Sequence, residues 1–240
     1  MKYKRVLLKL SGGALAGNEG KGIDFDILNR MCEEIKEINE SGIQISIVIG
    51  GGNFWRGREG EEITRATSDY MGMLATAINA LAMQDVLEKL GVGARIQTSM
   101  DIEKIAEPYN QRTTIESLEQ GIVVIYACGT GSPFFTTDTA AALKAIETQS
   151  ELVLLAKNVD ALYTGDPNKD VDAQKIDRIP YLDIINKDLR ALDATAAALC
   201  MENHIPIMMF GIKTPRNLVK AAQGEHIGTL ITDEVEELWI

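Results

Sequence analysis

Apolar residues follow two alternating rhythms along this chain. Short runs, RVLLKL (5–10), IQISIVIG (43–50), ARIQT (94–98), GIVVIYA (121–127), ELVLLA (151–156) and IPIMMF (205–210), are rich in β-branched residues or Leu. They read as buried strands of a mainly parallel sheet. Between them the period lengthens. Residues 24–41 place Ile27, Met31, Ile35 and Ile38 on one helical face with charges opposite, and 68–90 and 138–148 also read as helices. Thr113 and Glu116 fit a capping box before a short helix, while Thr214 with Pro215 predicts the start of another that ends at Gly224. Strand–helix alternation runs throughout, giving an α/β fold.

No low-complexity linker, repeat or composition shift interrupts the 240 residues, so the expectation is one domain over 1–240 with a core that needs no staples. A net charge of −11 argues against a nucleic-acid partner, whose phosphates demand clustered Lys and Arg. Cys32, Cys128 and Cys200 are odd in number and form no C-x-x-C pair, which predicts reduced, buried thiols and a cytoplasmic location. The apolar N-terminal segment is broken by Lys9 and lacks a cleavage site, and no run reaches membrane-spanning length.

Candidate chemistry lies at the ends of the predicted strands, where α/β sheets bind ligands. In IVIGGGNFWRG, Gly50, Gly51 and Gly52 let backbone N–H groups approach an anion, but neither a Walker lysine nor a G-x-G-x-x-G fingerprint is present. The cation comes from elsewhere. Lys9 interrupts the first strand just before Ser11, Gly12 and Gly13, and it either meets a phosphate or carboxylate or lets its head reach solvent at the strand end. Arg56 offers a bidentate fork to a phosphate or is an ordinary surface arginine; Phe54 and Trp55 anchor the loop.

CGTGSPFFTTDTAA (128–141) combines glycines, paired phenylalanines and hydroxyls suited to reading a base edge or sugar. Asp138 reads as the cap of the following helix, compatibly with a contact to a catalytic lysine. Asp69 is either a helix cap or a ligand for a ribose diol. Met71, Met73 and Met83 read as core residues. AKNVDALYTGDP carries Lys157, Asn158, Tyr163 and Asp166 in a loop that fits a purine and ribose or an ordinary turn. His204 and His226 form no catalytic or metal pair.

Taken together, KLSGGAL, IGGGNFWRG, DYMGMLAT, GTGSPFFTTDTAA, NVDALYTGDP and the late GTLI resemble, in order and spacing, the bacterial uridylate (UMP) kinases of the amino-acid kinase superfamily. The resemblance implies a three-layer αβα sandwich around a mainly parallel sheet, with UMP held mainly by the N-terminal half and ATP by the C-terminal half. It implies that Lys9, Leu10, Ser11, Gly12, Gly52, Arg56, Lys157, Asn158, Tyr163 and Asp166 bind ATP. By the same resemblance, Gly51, Asp69 and the run Thr130, Gly131, Ser132, Pro133, Phe134, Phe135, Thr136 and Thr137 would bind UMP. Lys9, Arg56, Asp138 and Asp193 carry the transfer, with Asp138 orienting Lys9 and Asp193 connected to the lysine and metal region.

Mg²⁺ accompanies ATP in this reading, with ligands unspecified. Gly17, Asn18, Glu19, Gly20, Lys21 and Gly22 match a segment linked to GTP activation, and the resemblance further implies UTP inhibition, a homohexamer and a place in pyrimidine nucleotide synthesis. The chain departs from many members at Gly13, where Glu is frequent, at Trp55, where Phe is common, and in placing a lysine at 157. Two rival readings stand beside this one. One is a superfamily kinase acting on a carboxylate or carbamate; the other is a non-catalytic ATP-binding storage or regulatory protein.

Overall fold

Arg5–Leu10 forms β1, the strand from which the sheet of the computed structural model extends in both directions. The structure describes residues 2–56, 62–165, 170, 172–186, 189 and 191–233. After β1 come α1 (Phe25–Glu40), β2 (Gln44–Ile49), α2 (Arg65–Lys89), β3 (Ala94–Thr98), β4 (Glu107–Pro108), α3 (Gln111–Glu119), β5 (Val123–Ala127) and α4 (Thr137–Glu147). The second half contributes β6 (Leu152–Lys157), β7 (Leu162–Tyr163), β8 (Lys175–Ile176), β9 (Arg178–Ile179), α5 (Tyr181–Asn186), α6 (Ala194–Glu202), β10 (Ile207–Gly211), α7 (Asn217–Ala222) and β11 (Thr229–Ile231).

Among the described residues, nine strands form one sheet in the order β4-β3-β5-β2-β1-β6-β10-β11-β9, parallel except where β11 runs antiparallel to β10. The two-residue period of a strand then divides the core. Val6, Leu8 and Leu10 join α1, α2 and α7 on one face, whereas Leu7 joins α3, α4, α5 and α6 on the other. This is the expected three-layer αβα architecture. Each fully buried Leu or Ile in these layers contributes roughly 1.5–3 kcal/mol. Lys9 shares the parity of Leu7, so the strand directs it toward the α4 layer.

The three cysteines are buried without disulfides, and burial pushes the thiols of Cys32 and Cys200 up to about 12. Two helix starts differ from expectation. Asn110, whose side chain accepts from Thr113 N–H at 3.1 Å, caps α3, so Thr113 lies inside the helix and Glu116 pairs with Arg112. α7 starts at Asn217 after Arg216, two residues beyond the Thr214–Pro215 signal, although Gly224 follows its end as anticipated.

Candidate active site

Chain order reverses direction at β1: β2, β5 and β3 lie to one side, β6 and β10 to the other. Connections leaving neighbouring strands in opposite directions open a crevice at their carboxyl ends. The turns after β1, β2, β5 and β6 all meet there.

Lys9 is 5% exposed, and its Nζ lies 2.5 Å from Asp138 Oδ1. Lys157, at the end of β6, places its Nζ 3.7 Å from Asp138 Oδ2. Burial alone pushes the Asp138 carboxyl up, but the two ammonium groups outweigh it and hold the group below its ordinary value. Burial lowers Lys157, with Asp138 opposing. A charged cluster is thus assembled before any ligand arrives.

Asp138 is free to serve it because it is not the cap of α4. Thr136 is, its Oγ1 accepting from the N–H of Asp138 at 3.0 Å and of Thr139 at 3.4 Å. Asp193 does not contact the lysines directly. It caps α6 through Ala196 N–H at 2.8 Å and accepts the hydroxyls of Thr136 and Thr139, tying α6 to the start of α4.

The glycines act by close packing as well as by exposing amides. A Cβ on Gly12 would stand 2.6 Å from both Gly50 O and Gly52 N, so the two glycine turns interlock. A Cβ on Gly51 would meet Gly72 O of α2 at 2.5 Å. A Cβ on Gly52 would have Arg56 Nε, at 3.7 Å, as its nearest neighbour among the described residues. Buried Asn79 and Asn53 support this loop: Asn79 donates to Gly50 O at 2.8 Å, and Asn53 donates to Gly22 O at 2.7 Å. Gly22 N–H returns a bond to Asn53 O at 3.0 Å, so the segment 17–22 is joined to the glycine loop. Asn53 lies in the glycine-loop motif but carries no role legible from the sequence, and Asn79 falls in no motif.

Lys9, Ser11, Gly12, Gly52, Arg56 and Asn158 line a cleft of about 290 Å³ with Gly51 and Thr137 at its side. Leu10 is fully buried and does not line it; its carbonyl instead accepts Gly50 N–H at 2.8 Å. A second cavity of about 130 Å³ contains Asp69, Thr130, Phe135 and Thr136, and shares Gly51 and Thr137 with the first. Trp55, Gly72, Met73, Thr76 and Gly129 also line it, beyond the residues anticipated; Gly131, Ser132, Pro133 and Phe134 do not.

Asp69 is the fifth residue of α2, whose cap is Thr64, so the capping reading falls away. Its carboxylate takes Arg65 Nε at 2.8 Å and Phe134 N–H at 2.8 Å. A third cavity, about 350 Å³, runs between α1 and the segment from Ile212 to Leu218 and shares Gly13 and Asn158 with the first. Tyr163 lines none of the three, its hydroxyl donating to Asp160 at 3.0 Å, and Asp166 lies outside the described residues. No group of three or more His, Cys, Asp or Glu able to hold a metal occurs among the described residues.

Comparison with known proteins matches this architecture. The amino acid kinase family model matches residues 4–211. A UMP kinase from Bacillus anthracis superposes with a TM-score of 0.94 at 38% identity, covering 98% of each chain. A UMP kinase from Ureaplasma parvum gives 0.91 at 36% identity, covering 97% of this chain and 100% of that one. A uridylate kinase from Archaeoglobus fulgidus gives 0.71 at 27% identity, covering 95% and 99%. The chain belongs to the amino acid kinase family, sharing with these UMP kinases its fold over nearly its whole length.

Proposed function

We propose that the protein transfers the γ-phosphoryl group of ATP directly to UMP, forming UDP and ADP. The observation that carries this reading is the meeting of two cavities at Gly51 and Thr137, beside the buried Lys9–Asp138 pair. The names of the similar solved structures supply the acceptor, UMP. The N-terminal half and the loop after β5 hold UMP; the turns after β1 and β6 hold ATP, whose ribose and base have room beyond Asn158.

A UMP phosphate oxygen attacks the γ-phosphorus as the bond from that phosphorus to the β,γ-bridging oxygen breaks, and the electron pair leaves with ADP. The nucleophile is already anionic, so positioning and charge stabilisation by Lys9, Arg56 and glycine amides suffice. Asp138 pairs with Lys9 and aims it, and Lys157 stands on the other carboxylate oxygen of Asp138. Mg²⁺ enters as part of the Mg-ATP substrate, carried on its phosphates.

The oligomer is also a proposal. Met71, Leu74, Ile78 and Leu81 expose one apolar stripe along α2, with Leu74 and Ile78 each 48% exposed. An apolar stripe of this length on a surface helix is a face that a second copy can cover, so copies assemble through α2 within a homohexamer. GTP activation and UTP inhibition complete the reading; the bonds joining 17–22 to the glycine loop give the former a route to the phosphates. Among the described residues no helix is long and apolar enough to cross a membrane. Independently of that, we assign the enzyme to pyrimidine nucleotide synthesis in the cytoplasm.

ADP release from Mg-ATP with UMP, CMP, dUMP, AMP, aspartate and acetylglutamate tests this function. UMP-dependent turnover is expected; turnover with a carboxylate alone would overturn it. A storage or regulatory role, which the relatives' names do not support, requires no turnover with any acceptor.

A further inference from the structure

The loop after β5 contains two non-glycine residues in the left-handed region, Cys128 at φ 63° and Phe134 at φ 74°. Side chains rarely adopt this conformation, and it persists where neighbours hold it. Both are held from α2. Cys128 N–H donates to Thr76 Oγ1 at 2.7 Å, and Phe134 N–H donates to Asp69 Oδ2 at 2.8 Å. Asp69 and Thr76 are seven residues apart, two helical turns along one face. The α2 helix therefore grips the loop at both of its strained points.

The two grips differ in what fixes them. Thr76 is buried, its hydroxyl also donating to Met73 O at 2.6 Å. Asp69 stands at the rim of the smaller cavity, and Arg65 Nε reaches both of its carboxylate oxygens at 2.8 Å. The Arg65 guanidinium also lies over the Phe134 ring, 5.8 Å from its centre. Phe134 itself is 69% exposed, so little packing restrains it otherwise.

We infer that Arg65 is a positioning residue that latches the loop over the acceptor cavity by orienting Asp69 and covering Phe134. It touches neither the cavity nor the phosphate cleft. Its effect therefore falls on acceptor binding, not on donor binding or transfer. The dependence on acceptor binding rests on the proposed kinase function; the latch itself does not.

Two readouts separate these claims. Hydrogen exchange of the peptide spanning 129–136 should quicken about tenfold in Arg65→Met, the loss expected when a charge-assisted contact disappears, while the strands keep their protection. Unchanged exchange would overturn the latch whatever the protein's activity. In turnover assays Arg65→Met should raise the KM for UMP about tenfold, leaving kcat and the KM for ATP within about twofold, and Arg65→Lys should recover part of the loss. An unchanged UMP KM, or equal rises for both substrates, would overturn the acceptor role. Failure of the wild type to use UMP would instead overturn the kinase reading, with exchange still deciding the latch. Arg65 is 40% exposed at its side chain, so both variants should fold.

Discussion

The turn after β1 is held by backbone packed on backbone, whereas the loop after β5 is held by side chains reaching in from other elements. In the first, Gly12 leaves no room for a Cβ against Gly50 and Gly52, and a buried ion pair fixes Lys9 beneath it. In the second, Thr76, Asp69, Ser99 and Asp193 each bind one point of an open loop. The difference fits what each must hold. A phosphate is recognised by charge and amides at fixed positions, which rigid packing supplies. A nucleoside needs shape and hydrogen bonds along a longer contour, so its loop is built from replaceable contacts.

The comparison breaks most sharply at Lys9. Lys9→Ala should lower kcat by about 10²–10³-fold, because a charge aimed at the transferring group disappears from a preformed site. Calorimetry should find UMP binding retained, since Lys9 does not line the acceptor cavity. Retained turnover would mean that the buried pair serves stability alone. Next in size is a paired test of the glycines. Gly51→Ala, forced against Gly72 O, should cost about 1–3 kcal/mol in denaturant unfolding. Gly52→Ala, with 3.7 Å to its nearest neighbour, should stay within about 0.5 kcal/mol. Equal losses would show that the turns are not selected by packing.

Acid sharpens the contrast further. Asp138 has a folded value below its ordinary 3.8, so its contribution is fully present above 3.8 and is lost as pH falls through the lower folded value. The stability gap between wild type and Asp138→Asn should therefore be wide at neutral pH and narrow below 3.8. A gap independent of pH in chemical unfolding would contradict the ionic account.

Much of this was legible in the chain. Both β1 and β3 were located to the residue: β1 is buried along its whole length and reads as a largely apolar run, whereas β3, ARIQT, alternates apolar and polar residues and is only partly buried. Lys9 stood out because it interrupts the β1 run. Capping was read less well: Thr136 rather than Asp138 caps α4, since either residue type fits the role and only the three-dimensional course of the loop decides. Asn53, Asn79 and Thr76 were not singled out, although Asn53 and Thr76 lie within the IGGGNFWRG and DYMGMLAT motifs. Each acts through a bond to backbone more than 25 residues away in sequence, and no local pattern encodes such a partner.

The smallest expected effect concerns Lys157. Its charge is buried at a cost, shown by the lowering of its value, and Asp138 at 3.7 Å repays only part because Lys9 already stands at 2.5 Å. Lys157→Met should change stability at neutral pH by no more than about 1 kcal/mol, since the aspartate keeps its closer partner. The sign of the pH dependence is distinctive. A lysine lowered in the folded state destabilises while charged, and that penalty is relieved as pH rises from the folded value toward 10.5. Wild type should thus gain stability relative to Lys157→Met across that alkaline window, measured as Tm against pH. A loss of several kcal/mol at neutral pH would mean instead that Lys9 alone does not compensate Asp138, and that the donor cleft depends on both lysines for its fixed geometry.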